Sequence, residues 1–153
     1  SSWEEAGMQD EERPLNERGK KDAPEMAARL KEKLKVDLLV SSPARRAKKT
    51  AQFFAEEFGH KKDDIQLEQD LYMATVEAFN RVIANLDDKH DTVALFSHNP
   101  GITEFACMLT GVRIDNMPTA ALFAVQAETD SWKEFESADK KFLFFDYPKN
   151  PLY

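Results

Sequence analysis

Val36-Asp37-Leu38-Leu39-Val40-Ser41-Ser42-Pro43-Ala44-Arg45-Arg46-Ala47 is the stretch that decides the fold. Residues 36–40 form a short apolar run of the kind that makes a buried strand. Ser41-Ser42-Pro43 follows without a gap. A capping serine ahead of a proline at the first helical position predicts a helix start. Ala47, Ala51, Phe54 and Phe58 then recur on one helical stripe, and Gly59 ends it. The design is a strand running straight into the N-terminus of a helix.

The same design recurs downstream. Asp91-Thr92-Val93-Ala94-Leu95-Phe96 reads as a second buried strand. Ser97-His98-Asn99-Pro100-Gly101 breaks it, and a helix runs on to about Leu109, closed by Gly111. Residues 65–69 predict a short strand between the two units. Residues 75–86 predict a helix with Val76, Phe79, Val82, Ile83 and Leu86 inward. Ahead of the first strand, residues 1–15 are polar, with Gly7 and Pro14 as breakers. Asn16 can cap a helix carrying Ala23, Ala27, Leu30 and Leu34, with Pro24 in its first turn or at a kink. After residue 111 the pattern turns to strands, over 120–127 and 142–147, with Trp132 to Phe135 between them. Helices and strands alternating, then strands, predict a three-layer α/β/α sandwich around a mixed, mainly parallel central sheet.

The 153 residues predict a single domain over 1–153 with a sizeable core. Hydrophobic residues make up 42% and charged residues 32%, the balance of a soluble globular chain. Net charge is −7, which argues against non-specific nucleic-acid binding. It leaves room for an anionic substrate in a locally basic pocket. Cys107 is the only cysteine, so no disulfide framework or Cys-rich zinc site is expected, and a reducing, cytoplasmic setting fits. Ser1-Ser2-Trp3-Glu4-Glu5 is not a signal peptide, and no apolar stretch reaches membrane-spanning length.

In open α/β sheets the ligand crevice lies beyond the carboxyl ends of the parallel strands. Helix N-termini there present free N–H groups to an anion. Arg46 and His98 therefore stand where a phosphoryl group would be held, the arginine as a two-toothed fork. Arg45, Arg46, Lys48 and Lys49 equally fit the wet face of an amphipathic helix, and a lone His after a strand is often structural. Periodicity alone leaves both readings open.

The two segments together resemble a family. Ser41-Ser42-Pro43-Ala44-Arg45-Arg46-Ala47-Lys48-Lys49-Thr50-Ala51 is similar to the SSPxxRAxQTA stretch of the histidine phosphatase superfamily, with Lys49 in place of the usual Gln. Ser97-His98-Asn99-Pro100-Gly101 resembles its second histidine motif. Arg13-Pro14-Leu15-Asn16-Glu17-Arg18-Gly19, Ile114-Asp115-Asn116-Met117-Pro118-Thr119-Ala120, Asp130-Ser131-Trp132 and Phe144-Phe145-Asp146-Tyr147-Pro148 resemble the SixA-type phosphohistidine phosphatase branch.

The resemblance implies a phosphoglycerate mutase-like fold and a phosphohydrolase that works through a phosphohistidine intermediate, with no metal or organic cofactor. It makes Arg46 the phosphate-binding arginine and His98 the second histidine, with Arg13 lining the pocket and Glu77 a candidate acid. The implied substrate is a protein phosphohistidine. A small phosphomonoester, or a binding module without turnover, are the alternatives. No nucleic acid and no membrane partner is implied.

One departure is large. In the family the first strand ends in Arg-His-Gly or Arg-His-Ala, and a stretch like Ser1-Ser2-Trp3 follows almost at once. The resemblance thus implies a natural protein starting about ten residues earlier, a strand plus its motif. The nucleophilic histidine would lie in that segment, and the 153 residues alone would be inactive. His60 and His90 sit in charged, turn-like contexts and are poor replacements. Cys107 with Arg113 has the bare Cys-x5-Arg spacing of cysteine phosphatases. Phe105-Ala106-Cys107-Met108-Leu109 instead predicts an inert thiol in an apolar helix.

Overall fold

The computed structural model describes residue 15 and residues 17–99, 101–111 and 120–148, with residue 110 in backbone only. The expected Asn16 cap, the segment 1–14 that contains Arg13, Pro100, and the motif residues 114–119 lie outside the described residues. Helix α1 (Glu17–Lys33) buries Ala23, Met26, Ala27 and Leu30. Pro24 lies in its interior rather than its first turn. There it has no N–H to give to the carbonyl one turn earlier. Strand β1 (Leu38–Ser41) leads into α2 (Arg45–Phe58). Gly59 ends α2 at φ 78°, in the left-handed region, and its N–H reaches the last-turn carbonyls. Strand β2 (Gln66–Leu67) is two residues long, and α3 (Val76–Ala84) follows. Thr75 caps α3 by accepting the Ala78 N–H at 3.1 Å. Then come β3 (Val93–Phe96), α4 (Gly101–Thr110), β4 (Leu122–Ala127) and β5 (Lys140–Asp146).

The serine-proline helix start is a correction. Helix α2 begins at Arg45 with Ala44 at its cap position and no side-chain cap. The Ser42 hydroxyl accepts the Ala44 N–H at 3.2 Å, holding a tight turn ahead of the helix instead of its first free amide.

Strands β2, β1 and β3 pair in that order, all parallel. Side chains alternate across β1 as strand geometry demands. Leu38 and Val40 pack with Phe79 of α3 and Phe105 of α4. Leu39 packs with Met26 of α1 and Phe54 of α2. Strand β3 repeats this, with Val93 and Leu95 on the α3/α4 side and Ala94 and Phe96 on the other. Burying a side chain such as Phe54 or Phe79 stabilises the fold by about 1.5–3 kcal/mol. The three-layer α/β order expected from the sequence is present.

The mixed sheet is divided. Strands β4 and β5 form a separate antiparallel pair with an irregularity between Ala124 and Val125. Yet β4 belongs to the same layer, since Leu122 packs into the α1/α2 core and Val125 and Ala127 into the α3/α4 core. Between β3 and β4 lies a cavity of about 1170 Å³, lined by residues 93–97 on one side and 121–127 on the other. Among the described residues β3 pairs only with β1, and β4 only with β5. All four residues of β3 are consequently half-exposed, although helices cover both its faces.

Two polar ties fasten the pieces. Arg29 of α1 donates to the buried Asp146 at 3.3 Å and to the Tyr147 carbonyl at 3.1 Å, clamping β5. At the entry to the parallel pair, the Asp37 carboxylate accepts the N–H groups of Asp91 at 3.1 Å and Thr92 at 3.0 Å. Asp37→Ala removes both bonds. It is expected to cost about 1–3 kcal/mol in urea unfolding, with Asp37→Asn, which keeps one acceptor oxygen, losing less.

Candidate active site

Strands β1 and β3 end level. Ser41 is in register with Phe96, and the Ser42 N–H continues the ladder to the Phe96 carbonyl at 2.9 Å. The next residues of each segment therefore meet. Ser42 Oγ lies 2.8 Å from His98 Nε2, although the two are 56 residues apart in sequence. The His98 carbonyl accepts the Ile102 N–H at 2.9 Å and so opens α4. The Ala44 carbonyl accepts the Lys48 N–H at 3.0 Å and so opens α2. Two helix N-termini thus start at one edge of the sheet, the arrangement that favours an anion.

Arg46 sits in the first turn of α2 and is only 7% exposed, whereas Arg45 beside it is exposed. The four-residue basic run therefore separates. Arg45, Lys48 and Lys49 reach solvent, Lys49 with its ammonium over the Phe53 ring, and Arg46 turns inward. Arg46, Thr50, Ser97, His98 and Asn99 line one end of the cavity between β3 and β4. The two side chains named for the phosphate pocket share one hollow.

The segment between β2 and α3 closes the site from the side. The Tyr72 ring meets the His98 ring edge-on, with centroids 5.7 Å apart and planes at 79°. The Ser97 hydroxyl donates to the Leu71 carbonyl at 2.6 Å. Thr103 donates to the Asn99 side chain, tying the turn before α4 to that helix. Met73 takes φ 52°, a left-handed conformation unusual for a side chain of this size. Helix α4 approaches this segment so closely that a Cβ on Gly101 would collide with the Ala74 carbonyl. Phe79 stacked on Phe105 at 4.7 Å locks α3 to α4 behind it.

The other named residues fall elsewhere. Glu77 is exposed in the first turn of α3 and is not among the described residues that line the cavity. Arg13 lies outside the described residues. His60 Nε2 is 2.8 Å from the Val36 carbonyl, and the His90 carbonyl accepts the Trp132 indole N–H at 2.8 Å. Both belong to the opposite ends of β1 and β3. Cys107 is inside α4, where its carbonyl accepts the Gly111 N–H at 2.9 Å. Helical backbone there is committed to its own bonds and forms no phosphate-cradling loop. Among the described residues no group of three or more His, Cys, Asp or Glu side chains is arranged to hold a metal. No helix among them is long and apolar enough to cross a membrane. Sequence reasoning missed Ser42 and Tyr72 as neighbours of His98. Ser42 had been read as a helix cap, and Tyr72 carries no motif of its own.

The family model described as histidine phosphatase superfamily (branch 1) matches residues 1–78, half of the chain and the part that contains Ser42 and Arg46. The chain belongs to this superfamily. Its fold is similar to that of a protein named as the phosphohistidine phosphatase SixA from Agrobacterium tumefaciens. That match has a TM-score of 0.77 and 24% identity over 96% of this chain and 91% of that one. A structure of the protein histidine phosphatase SixA complexed with tungstate matches with a TM-score of 0.76 and 21% identity, covering 92% of this chain and 88% of the other. An uncharacterized chloroplastic protein of Arabidopsis thaliana is 28% identical over 143 residues, 88% of this chain. The chain spans 65% of that relative's length.

Within the superfamily fold, Gly101 bears directly on the site through its contact with the 71–75 segment. Gly101→Ala is expected to destabilise the protein by about 1–3 kcal/mol through overpacking. The same substitution should displace the His98 ring resonances in NMR spectra, because Ala74 and Tyr72 move together. Both changes are checked on one sample.

Proposed function

We propose that this protein is a phosphohydrolase that removes a phosphoryl group from protein phosphohistidine through a phosphohistidine intermediate of its own. The observation that carries the reading is a buried arginine and a histidine lining one hollow where two helices begin. That combination neutralises an oxyanion without a resident cation. The tungstate held by the SixA structure is an oxyanion of the same kind. The names of these relatives favour a phosphoprotein substrate over a small phosphomonoester. A lone thiol and an acidic surface fit a reducing, cytoplasmic setting.

In the proposed reaction a neutral histidine attacks phosphorus as the bond to the leaving group breaks. Arg46 and His98 hold the non-bridging oxygens while charge shifts onto them. The leaving imidazole takes a proton from solvent. Water then attacks the phosphoenzyme, a proton passes to solvent, phosphate leaves and the histidine is restored.

We further infer that the nucleophile, in an Arg-His pair, arrives on one more strand. The cavity between β3 and β4 supports this. Its two walls are strand edges in one layer, and its Arg46–His98 end is where such a strand would finish. A chain extended at its N-terminus by that strand is expected to turn over substrate, and the 153 residues alone to bind phosphate without turnover. Equal activity of the two would remove the inference.

Rapid mixing of the extended chain, in which all the following variants are made, with a histidine-phosphorylated protein is expected to release phosphate faster than from p-nitrophenyl phosphate. Quenching in alkali should trap acid-labile label on the enzyme. His98→Ala and Arg46→Ala should each lower kcat/KM by about 10²–10³. Cys107→Ser should leave it unchanged. Activity lost with Cys107→Ser but kept with His98→Ala would assign cysteine chemistry instead. Phosphate binding without label or turnover in the extended chain would leave a binding module.

A further inference from the structure

We infer that Ser42 is a positioning residue for His98 that holds its ring by Nε2 and fixes the neutral ring as the tautomer protonated on Nδ1. The inference deepens the proposed phosphatase reading, and only its kinetic arm depends on that reading.

Ser42 is fully buried. A hydroxyl has one proton to donate and two lone pairs to accept with. One lone pair takes the Ala44 N–H at 3.2 Å. The backbone is pinned as well, since the Ser42 N–H donates to Phe96 at 2.9 Å and the Ser42 carbonyl accepts the Ser41 hydroxyl at 2.8 Å. The hydroxyl oxygen therefore has a fixed position and a partly fixed direction. Among the described residues the one acceptor within reach of its proton is His98 Nε2, at 2.8 Å.

The direction of that bond follows. A buried hydroxyl proton without an acceptor is destabilising, because the hydrogen bond it made to water is not replaced. Donation to Nε2 avoids the cost and requires Nε2 to be unprotonated. The neutral ring then carries its proton on Nδ1, because the bond at one ring nitrogen sets the state of the other. Were Nε2 to carry a proton, it would take the second lone pair of Ser42 and turn the serine proton away from its acceptor. The Tyr72 ring, edge-on at 5.7 Å, limits the tilt of the imidazole. The helix-start serine of the sequence thus orients the one histidine at the end of β3.

The test uses 15N-histidine-labelled protein at about pH 9, where imidazoles are ordinarily neutral. His98 is assigned by the loss of its signals in His98→Ala. The expected spectrum shows His98 Nδ1 protonated and Nε2 as a hydrogen-bonded, unprotonated nitrogen. A wild-type spectrum with the proton on Nε2 overturns the inference without any variant. In Ser42→Ala the Nε2-protonated form should appear, and Ser42→Thr should restore the wild-type pattern.

On the phosphohistidine substrate, Ser42→Ala should lower kcat by about 10- to 100-fold with KM little changed, and Ser42→Thr should recover most of the loss. An unchanged kcat in Ser42→Ala overturns the positioning role. If the N-terminally extended chain shows the expected tautomer but no turnover, the phosphatase reading fails and the Ser42 assignment stands.

Discussion

The parallel pairing of β1 with β3 is the constraint on which everything else depends. It is built from apolar side chains that fill both helical layers, and it is clamped at its two ends by polar groups. Asp37 ties the entry to Asp91 and Thr92. Ser42 ties the exit to Phe96 and His98. The register between these clamps admits no slip, because a shift of one residue would send Leu38 and Leu39 to the wrong faces. The alignment of chemistry at the exit is thus a by-product of packing in the middle. A four-residue ladder carries two distant helix starts to the same place.

Much of this was legible because strand and helix periods leave separate marks. The apolar run at 36–40 and the stripe from Ala47 to Phe58 each have one physical reading, and the structure repeats them within a residue or two. Gly59 and Gly111 punctuate where the left-handed backbone requires it. What stayed hidden depended on contacts across the chain. Periodicity does not distinguish Arg46 from Arg45; the family resemblance singles out Arg46, and the packing of α2 on the sheet buries it and leaves Arg45 exposed. Ser42 was misread for a similar reason. A serine before a proline has the form of a cap, but the hydroxyl serves the turn at Ala44 and the ring of His98 instead. The motif Asp130-Ser131-Trp132 fastens a loop. Its Ser131 hydroxyl and Trp132 N–H both bond Asp88, which fixes the loop ahead of β3.

The division of the sheet has an energetic side. Strand β4 contributes to both cores yet exchanges no ladder bonds with β3 among the described residues. Its attachment comes from β5, from the Arg29–Asp146 pair and from apolar packing against both core clusters. Apolar contact is non-directional and tolerates sliding, whereas ladder bonds do not. Among the described residues the β1–β3 pair is held by both kinds of force. Ser42, Arg46 and His98 all follow β1 or β3, so their mutual placement rests on that pair.

The charge distribution sharpens that point. The chain carries a net −7, and a phosphorylated partner is also an anion, so approach is opposed at long range. At physiological salt the opposition fades over about 8 Å, while Arg46 and the two helix N-termini act at contact distance in a partly dehydrated hollow. On the proposed phosphatase reading, attraction confined to so short a range would discriminate by fit, since only a phosphoryl group that reaches the end of the cavity would feel it. A broad basic surface would gather any polyanion. On the proposed reading, an acidic body with a recessed Arg46 would accept a phosphoryl group only where the shape of its carrier lets it in, so that charge and burial together would set the selectivity of the site.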